Sequence, residues 1–186
     1  MANFENGDTH PFDIIYDYQT RCLKSANNHP LEEKASADFS GLGYQLGNHK
    51  IITPLDEVSE YLNLPSTTNI TRIPRVKSWV SGITNVRGRL VPILDLNGFF
   101  DFENSITSKR RRLLVVENPE LICGFSVDSV FGLETFSANT FHPGAPTDHD
   151  KLRPFISGYF EKNNQIWFVL NLKKVLEHDH FFDVAI

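Results

Sequence analysis

The chain reads as a mainly β protein made of two similar small units that share one core, with a helical extension in front. Three observations lead there. Past residue 40, short alternating apolar runs are separated by Gly, Asn and Pro, the texture of small β domains. A pattern of glycines and leucines then recurs along the chain at a nearly constant offset. The first forty residues differ from the rest, because their apolar positions fall at helical spacing.

In the extension, Pro11 stands where a first helical residue often stands, and Phe12, Ile15, Tyr16, Cys22, Leu23 and Ala26 form an apolar stripe. Asn27-Asn28-His29-Pro30 stops that helix, and the polar, Ala-rich residues 31–40 read as a linker or a second short helical turn. The predicted organisation is an extension over 1–40, a main domain over 41–178 and a tail over 179–186. Within the main domain Leu42, Tyr44 and Leu46 alternate, Gly47-Asn48-His49 turns the chain, and 50–55 returns as a hairpin. Further strands are predicted over 82–86, 90–94, 113–117, 121–127, 133–136, 156–160 and 166–170. Residues 172–178 form a short closing helix, and 137–153 an irregular loop.

The repeat accounts for this order. Trp79-Val80-Ser81-Gly82-Ile83 matches Phe155-Ile156-Ser157-Gly158-Tyr159 at an offset of 76. At the same offset Arg87-Gly88 matches Asn163-Asn164, and Leu94-Asp95-Leu96 matches Leu170-Asn171-Leu172. Upstream, Leu55-Asp56-Glu57-Val58 falls on Val127-Asp128-Ser129-Val130 at an offset of 72. Each unit is therefore a hairpin, a strand after a variable loop, and a second hairpin ending in a short helix. Units of about seventy residues bury little surface alone, so they are expected to share a core.

Composition narrows the function. In 186 residues, 18 Lys and Arg face 23 Asp and Glu, a net charge of −5, which gives no general attraction to nucleic acid or anionic lipid. The start lacks the basic and apolar regions of a signal peptide, and no run of 18 apolar residues occurs, so a soluble cytoplasmic protein without membrane insertion is expected. Cys22 and Cys123 lie far apart without ligand-like spacing and read as unpaired thiols.

The series Val58-x-Glu60, Ile73-Pro74, Trp79-Val80-x-Gly82-Ile83-x-Asn85-x-Arg87-Gly88, Val91-Pro92-Ile93-x-Asp95-Leu96 and Gly124-x-x-Val127-Asp128-x-Val130 resembles the CheW domain of bacterial chemosensory systems. The resemblance covers residues 41–178. Within that family the leader and the Trp-Val-x-Gly run are most similar to adaptors of type IV pili and twitching motility. It implies two five-stranded SH3-like barrels sharing a core. It also implies a non-enzymatic adaptor, without cofactor, that joins the cytoplasmic tip of a methyl-accepting receptor to a CheA-type histidine kinase carrying a CheW-like regulatory domain. Such an adaptor lies in the cytoplasm beside membrane-bound receptor arrays. The alternative is a free-standing β-barrel module that binds another motility regulator.

By resemblance Val58, Glu60, Gly82 and Arg87 are the receptor-contact positions. Arg87-Gly88 suits a two-residue hairpin turn that stands an arginine at the rim, and Glu60 is the carboxylate to orient it. Gly88 and Pro92 belong to the structural motif, and Asp95 and Asp128 are expected to cap or brace turns. Asn171, where the matching unit has Asp95, should cap as well. The basic run Lys109-Arg110-Arg111-Arg112 guards a strand edge or docks on an acidic patch of the kinase. His142, His149, His178 and His180 are the metal candidates by type, and their charged surroundings favour solvated side chains. No nucleophile with a base and no paired-carboxylate cleft is found, so no catalytic residue is assigned.

Overall fold

The computed structural model describes residues 38–64, 69–102, 111–117, 121–147 and 150–186, apart from the side chains of His180 and Phe182. The helix predicted over residues 12–26 lies outside this set, as do Cys22, Lys109, Arg110 and His149.

Eleven strands are described. In chain order they are β1 (Phe39–Leu46), β2 (His49–Pro54), β3 (Glu60–Asn63), β4 (Val80–Val86), β5 (Arg89–Asp95), β6 (Arg112–Glu117), β7 (Ile122–Val127), β8 (Ser129–Phe136), β9 (Phe141–Pro143), β10 (Ile156–Lys162) and β11 (Gln165–Leu170). Short helices α1 (Leu96–Phe99), α2 (Leu172–Glu177) and α3 (Asp179–Phe182) follow β5 and β11. The predicted hairpins and closing helix are all present. Two strands are additions: β3, which carries only four residues, and β9, which pairs with β10 inside the stretch read as irregular loop.

The strands form a six-stranded sheet of order β8-β1-β2-β11-β10-β9 and a five-stranded sheet of order β3-β6-β7-β5-β4. Each sheet draws on both units of the repeat. The first hairpin, β1–β2, completes the sheet of the second unit, and β6–β7 completes that of the first. The exchange preserves register: moving β8 back and β1 forward by 72 turns Gly132↔Gly43, Leu133↔Leu42 and Glu134↔Gly41 into Glu60↔Val115, Tyr61↔Leu114 and Leu62↔Leu113. The two parallel ladders correspond as well, since Val169↔Ile52 maps onto Ile93↔Gly124. Parallel neighbours require long crossovers, and here residues 55–164 connect β2 to β11 and residues 96–121 connect β5 to β7.

Three apolar clusters hold the sheets. Ile52, Phe136, Phe160, Trp167 and Val169 fill the six-stranded sheet, and Val86, Val91, Ile93, Leu113 and Val115 fill the five-stranded one. The largest cluster lies between them and joins Tyr44, Leu46 and Ile51 to Leu114, Phe125, Phe100, Leu170 and Leu172. At roughly 1.5–3 kcal/mol for each fully buried aliphatic or aromatic side chain, this shared cluster outweighs either private one.

The segment expected as a tail is packed. Phe181 is buried, Ala185 bridges to Val76, and the Lys77 N–H donates to Val184 O at 2.9 Å.

Candidate functional site: a charged rim where the five-stranded sheet closes

Arg87 and Gly88 form the two-residue turn between β4 and β5, with φ of 51° and 85°. Both central residues with positive φ make the turn that matches the twist of a hairpin. The Gly88 N–H donates to Asn85 Oδ1 at 2.8 Å and locks it. The equivalent turn, Asn163-Asn164, has φ of 54° and 58°, so the arginine stands in a conformation that its counterpart fills with asparagine.

That conformation throws the Arg87 side chain outward, 76% exposed, with its NH2 atom 2.7 Å from Glu60 Oε2. The approach lies off the axis of a good hydrogen bond, so the tie is chiefly coulombic. Glu60 sits on β3 and Arg87 directly follows β4, the two edge strands of the five-stranded sheet. Their ion pair therefore bridges the seam where that sheet curls onto itself. Below it a groove of about 290 Å³ runs between Leu62, Leu64 and Leu113 on one side and Thr84 and Val86 on the other.

Val58 and Gly82 act differently. Val58 ends the 3-10 turn Leu55–Glu57 and packs half-buried against the central cluster. Gly82 is buried at φ 135°, at a bulge in the β4–β5 ladder. A Cβ there would meet Thr71 O at 2.3 Å, and Thr71 pairs with Ile83. The missing side chain admits the protein's own segment 70–71 across β4.

The aspartates brace the joint between the sheets. Asp95 Oδ1 accepts from Asn97 N at 3.2 Å and caps α1, and its Oδ2 holds Arg111 NH2 at 2.8 Å. Asn97 Nδ2 donates to Asp128 Oδ1 at 2.8 Å, and Gly47 N donates to Asp128 Oδ2 at 2.7 Å. A polar chain thus runs from β6 through α1 to the β1–β2 turn. Arg111 belongs to this brace, which removes its guanidinium from the set of docking cations; Arg112 is half-buried beside it. Asn171 caps α2 by accepting from Lys174 N at 2.8 Å, as its pairing with Asp95 predicts.

Glu57 is the residue that sequence reasoning missed. Its Oε2 accepts from Leu172 N at 2.6 Å and so fastens the start of α2, as Asp128 fastens α1. The repeat aligns Asp128 with Asp56, but Asp56 is exposed and reaches Lys173; the latch is carried one position later by a longer carboxylate. Burial raises both the Glu57 and the Asp128 carboxyls above their usual range, against the lowering effect of the N–H groups they accept.

Of the remaining reactive groups Cys123 is buried, whereas His142 and His178 are exposed and lie against aromatic rings. The Cys123 thiol is buried and pushed up to about 12 by desolvation. His142 stacks on Tyr159 at 4.9 Å, and His178 meets the Phe155 ring edge-on at 5.1 Å. Among the described residues no helix is long and apolar enough to cross a membrane.

Comparison with known proteins is consistent with this geometry. The CheW-like domain matches residues 40–180. Protein PilI of Pseudomonas aeruginosa is 40% identical over 176 residues, covering 95% of this chain and 97% of that one. The chemotaxis protein CheW of Helicobacter pylori is 23% identical over 84% of this chain and 92% of its own length. The crystal structure of the scaffolding protein TtCheW from Thermoanaerobacter tengcongensis superposes with a TM-score of 0.65 at 24% identity, over 77% of this chain and 95% of that one, and so shares the fold. Matched by the family model over residues 40–180 and 40% identical to a relative over 95% of its length, the chain belongs to the CheW-like family of non-enzymatic chemosensory adaptors.

Proposed function

We propose that this adaptor joins the cytoplasmic tip of a methyl-accepting chemoreceptor to the CheW-like regulatory domain of a CheA-type kinase, in a pathway that controls type IV pili and twitching motility. It acts in the cytoplasm at receptor arrays. The observation that carries the reading is Arg87, presented outward at a turn, steadied by Glu60 and set at the mouth of the seam groove. A guanidinium held on one side keeps donors free for carboxylate or carbonyl oxygens of an approaching helix. Val58 and Gly82, the other two receptor positions of this reading, are held by packing on the central cluster and by the crossing of segment 70–71. Kinase docking through the basic run falls to Lys109, Arg110 and Arg112.

The test is a pull-down of a receptor cytoplasmic fragment by Arg87→Glu, with Arg89→Glu as a control of equal charge change on a neighbouring exposed arginine. Binding should drop at least about tenfold for the first alone, with an unchanged melting temperature, since exposed pairs contribute below about 1 kcal/mol. Wild-type binding by Arg87→Glu would remove this face from the receptor site.

A further inference from the structure

A second groove shares no residue with the Arg87 rim. It opens where the central cluster reaches the surface beside the last residues of the chain, a cavity of about 320 Å³. Its walls are almost wholly apolar: Val76 and Val80, Pro92 and Leu94 of β5, Leu121, and Val184. It continues past Val76 and Val80 into a polar groove of about 580 Å³ bordered by Arg72, Lys77 and Ser81.

Lys77 is neutralised by Asp183 at 2.6 Å. Arg72 and Arg75 are exposed and have no ion pair or side-chain hydrogen bond among the described residues. Arg72 borders the polar groove and Arg75 lies between Ile73 and Val76, which line the slot, so on a chain whose net charge is −5 these two guanidinium groups, without an ion pair among the described residues, make a local field that selects acidic partners.

The backbone edges that border the slot are already paired. Residues 75–77 bond with 184–186, and Ile83 of β4 bonds with Thr71. An added strand therefore finds little free main chain there, and recognition must run through side chains. The chemistry fits a helix laying an apolar stripe into a groove, with carboxylates on the turn beyond the stripe.

We infer that the slot between β5 and the 184–186 segment is a docking surface for an amphipathic helix of a partner protein, whose acidic end meets Arg72 and Arg75. The inference is independent of the receptor face, because either surface can fail without the other.

The experiment uses the full chain, methyl-labelled for NMR, and two synthetic helical peptides with leucines at i, i+3, i+4 and i+7. One carries glutamates beyond the stripe, the other lysines. The glutamate peptide should shift the methyl signals of Val76, Val80, Leu94 and Val184 and bind at least about tenfold more tightly than the lysine peptide. The double variant Arg72→Glu, Arg75→Glu alters only exposed positions and should abolish that preference. Unmoved methyl signals, equal affinity of the two peptides, or an unchanged preference in the double variant would each overturn the inference. Shifts of the same methyls by phosphatidylglycerol vesicles, without response to the glutamate peptide, would also overturn it, since the surface would then serve lipid.

Discussion

Where β8 meets β10, Phe136 and Phe160 stack with ring centroids 4.8 Å apart, and Trp167 packs against Phe136 at 5.5 Å. Glu134 and Lys162 cross that seam at 2.6 Å, with the ammonium 5.1 Å above the Phe136 ring. Where β3 meets β4, the corresponding seam has aliphatic walls, an open groove and a rim arginine that is three-quarters exposed. Both seams are bridged by one ion pair, yet one is sealed with aromatic rings and the other is left accessible. In a duplicated architecture the sealed seam can carry stability, which releases its counterpart for binding.

Substitutions should separate the two seams by size of effect. Phe160→Ala empties the sealed one and should cost about 3–5 kcal/mol of unfolding free energy, read from a urea titration. A loss below about 1 kcal/mol would mean that this seam does not hold the sheet. Asp128→Ala leaves the Gly47 N–H and the Asn97 amide without their acceptor, and should cost about 2–4 kcal/mol whichever seam is intact.

A smaller effect follows from pH. Because Glu57 and Asp128 sit above their ordinary values in the folded chain, between the ordinary and the raised value the folded chain holds protons that the unfolded chain has released. This contribution to stability is full below the ordinary value and is lost as pH rises through the raised one. Glu57→Gln keeps an acceptor for Leu172 N and cannot ionise, so its urea midpoint should decline less steeply across that interval than the wild type's. Equal slopes would remove Glu57 from the balance. Smallest of all, Arg87→Ala should change unfolding free energy by less than about 1 kcal/mol. A cost matching that of Phe160→Ala would erase the contrast between the seams.

Much of this was legible in the residues. Turn chemistry at Gly47-Asn48, Arg87-Gly88 and Asn163-Asn164 places three hairpins, because positive φ is a local property. The pairing of Asp95 with Asn171 in the repeat identifies both helix caps. The Glu60–Arg87 pair was readable only through family resemblance, since 27 positions separate its partners. Residues 60–63 and 141–143 went unread as strands, being too short for alternation to register. Glu57 hides behind Asp56, because an offset counts residues and not side-chain reach.

By itself the sequence determined the units, their order and their turns, all of which follow from short-range backbone preference and apolar alternation. Only the tertiary structure decided that each unit lends its first hairpin to the other's sheet, that Arg111 turns inward to Asp95 while Arg87 stays at the rim, and that Phe181 and Val184 pack on the core. The physical reason is common to all three. Strand partners, ion-pair partners and burial are set by which surfaces meet across long stretches of chain, and the same local pattern satisfies either arrangement until the shared core forms.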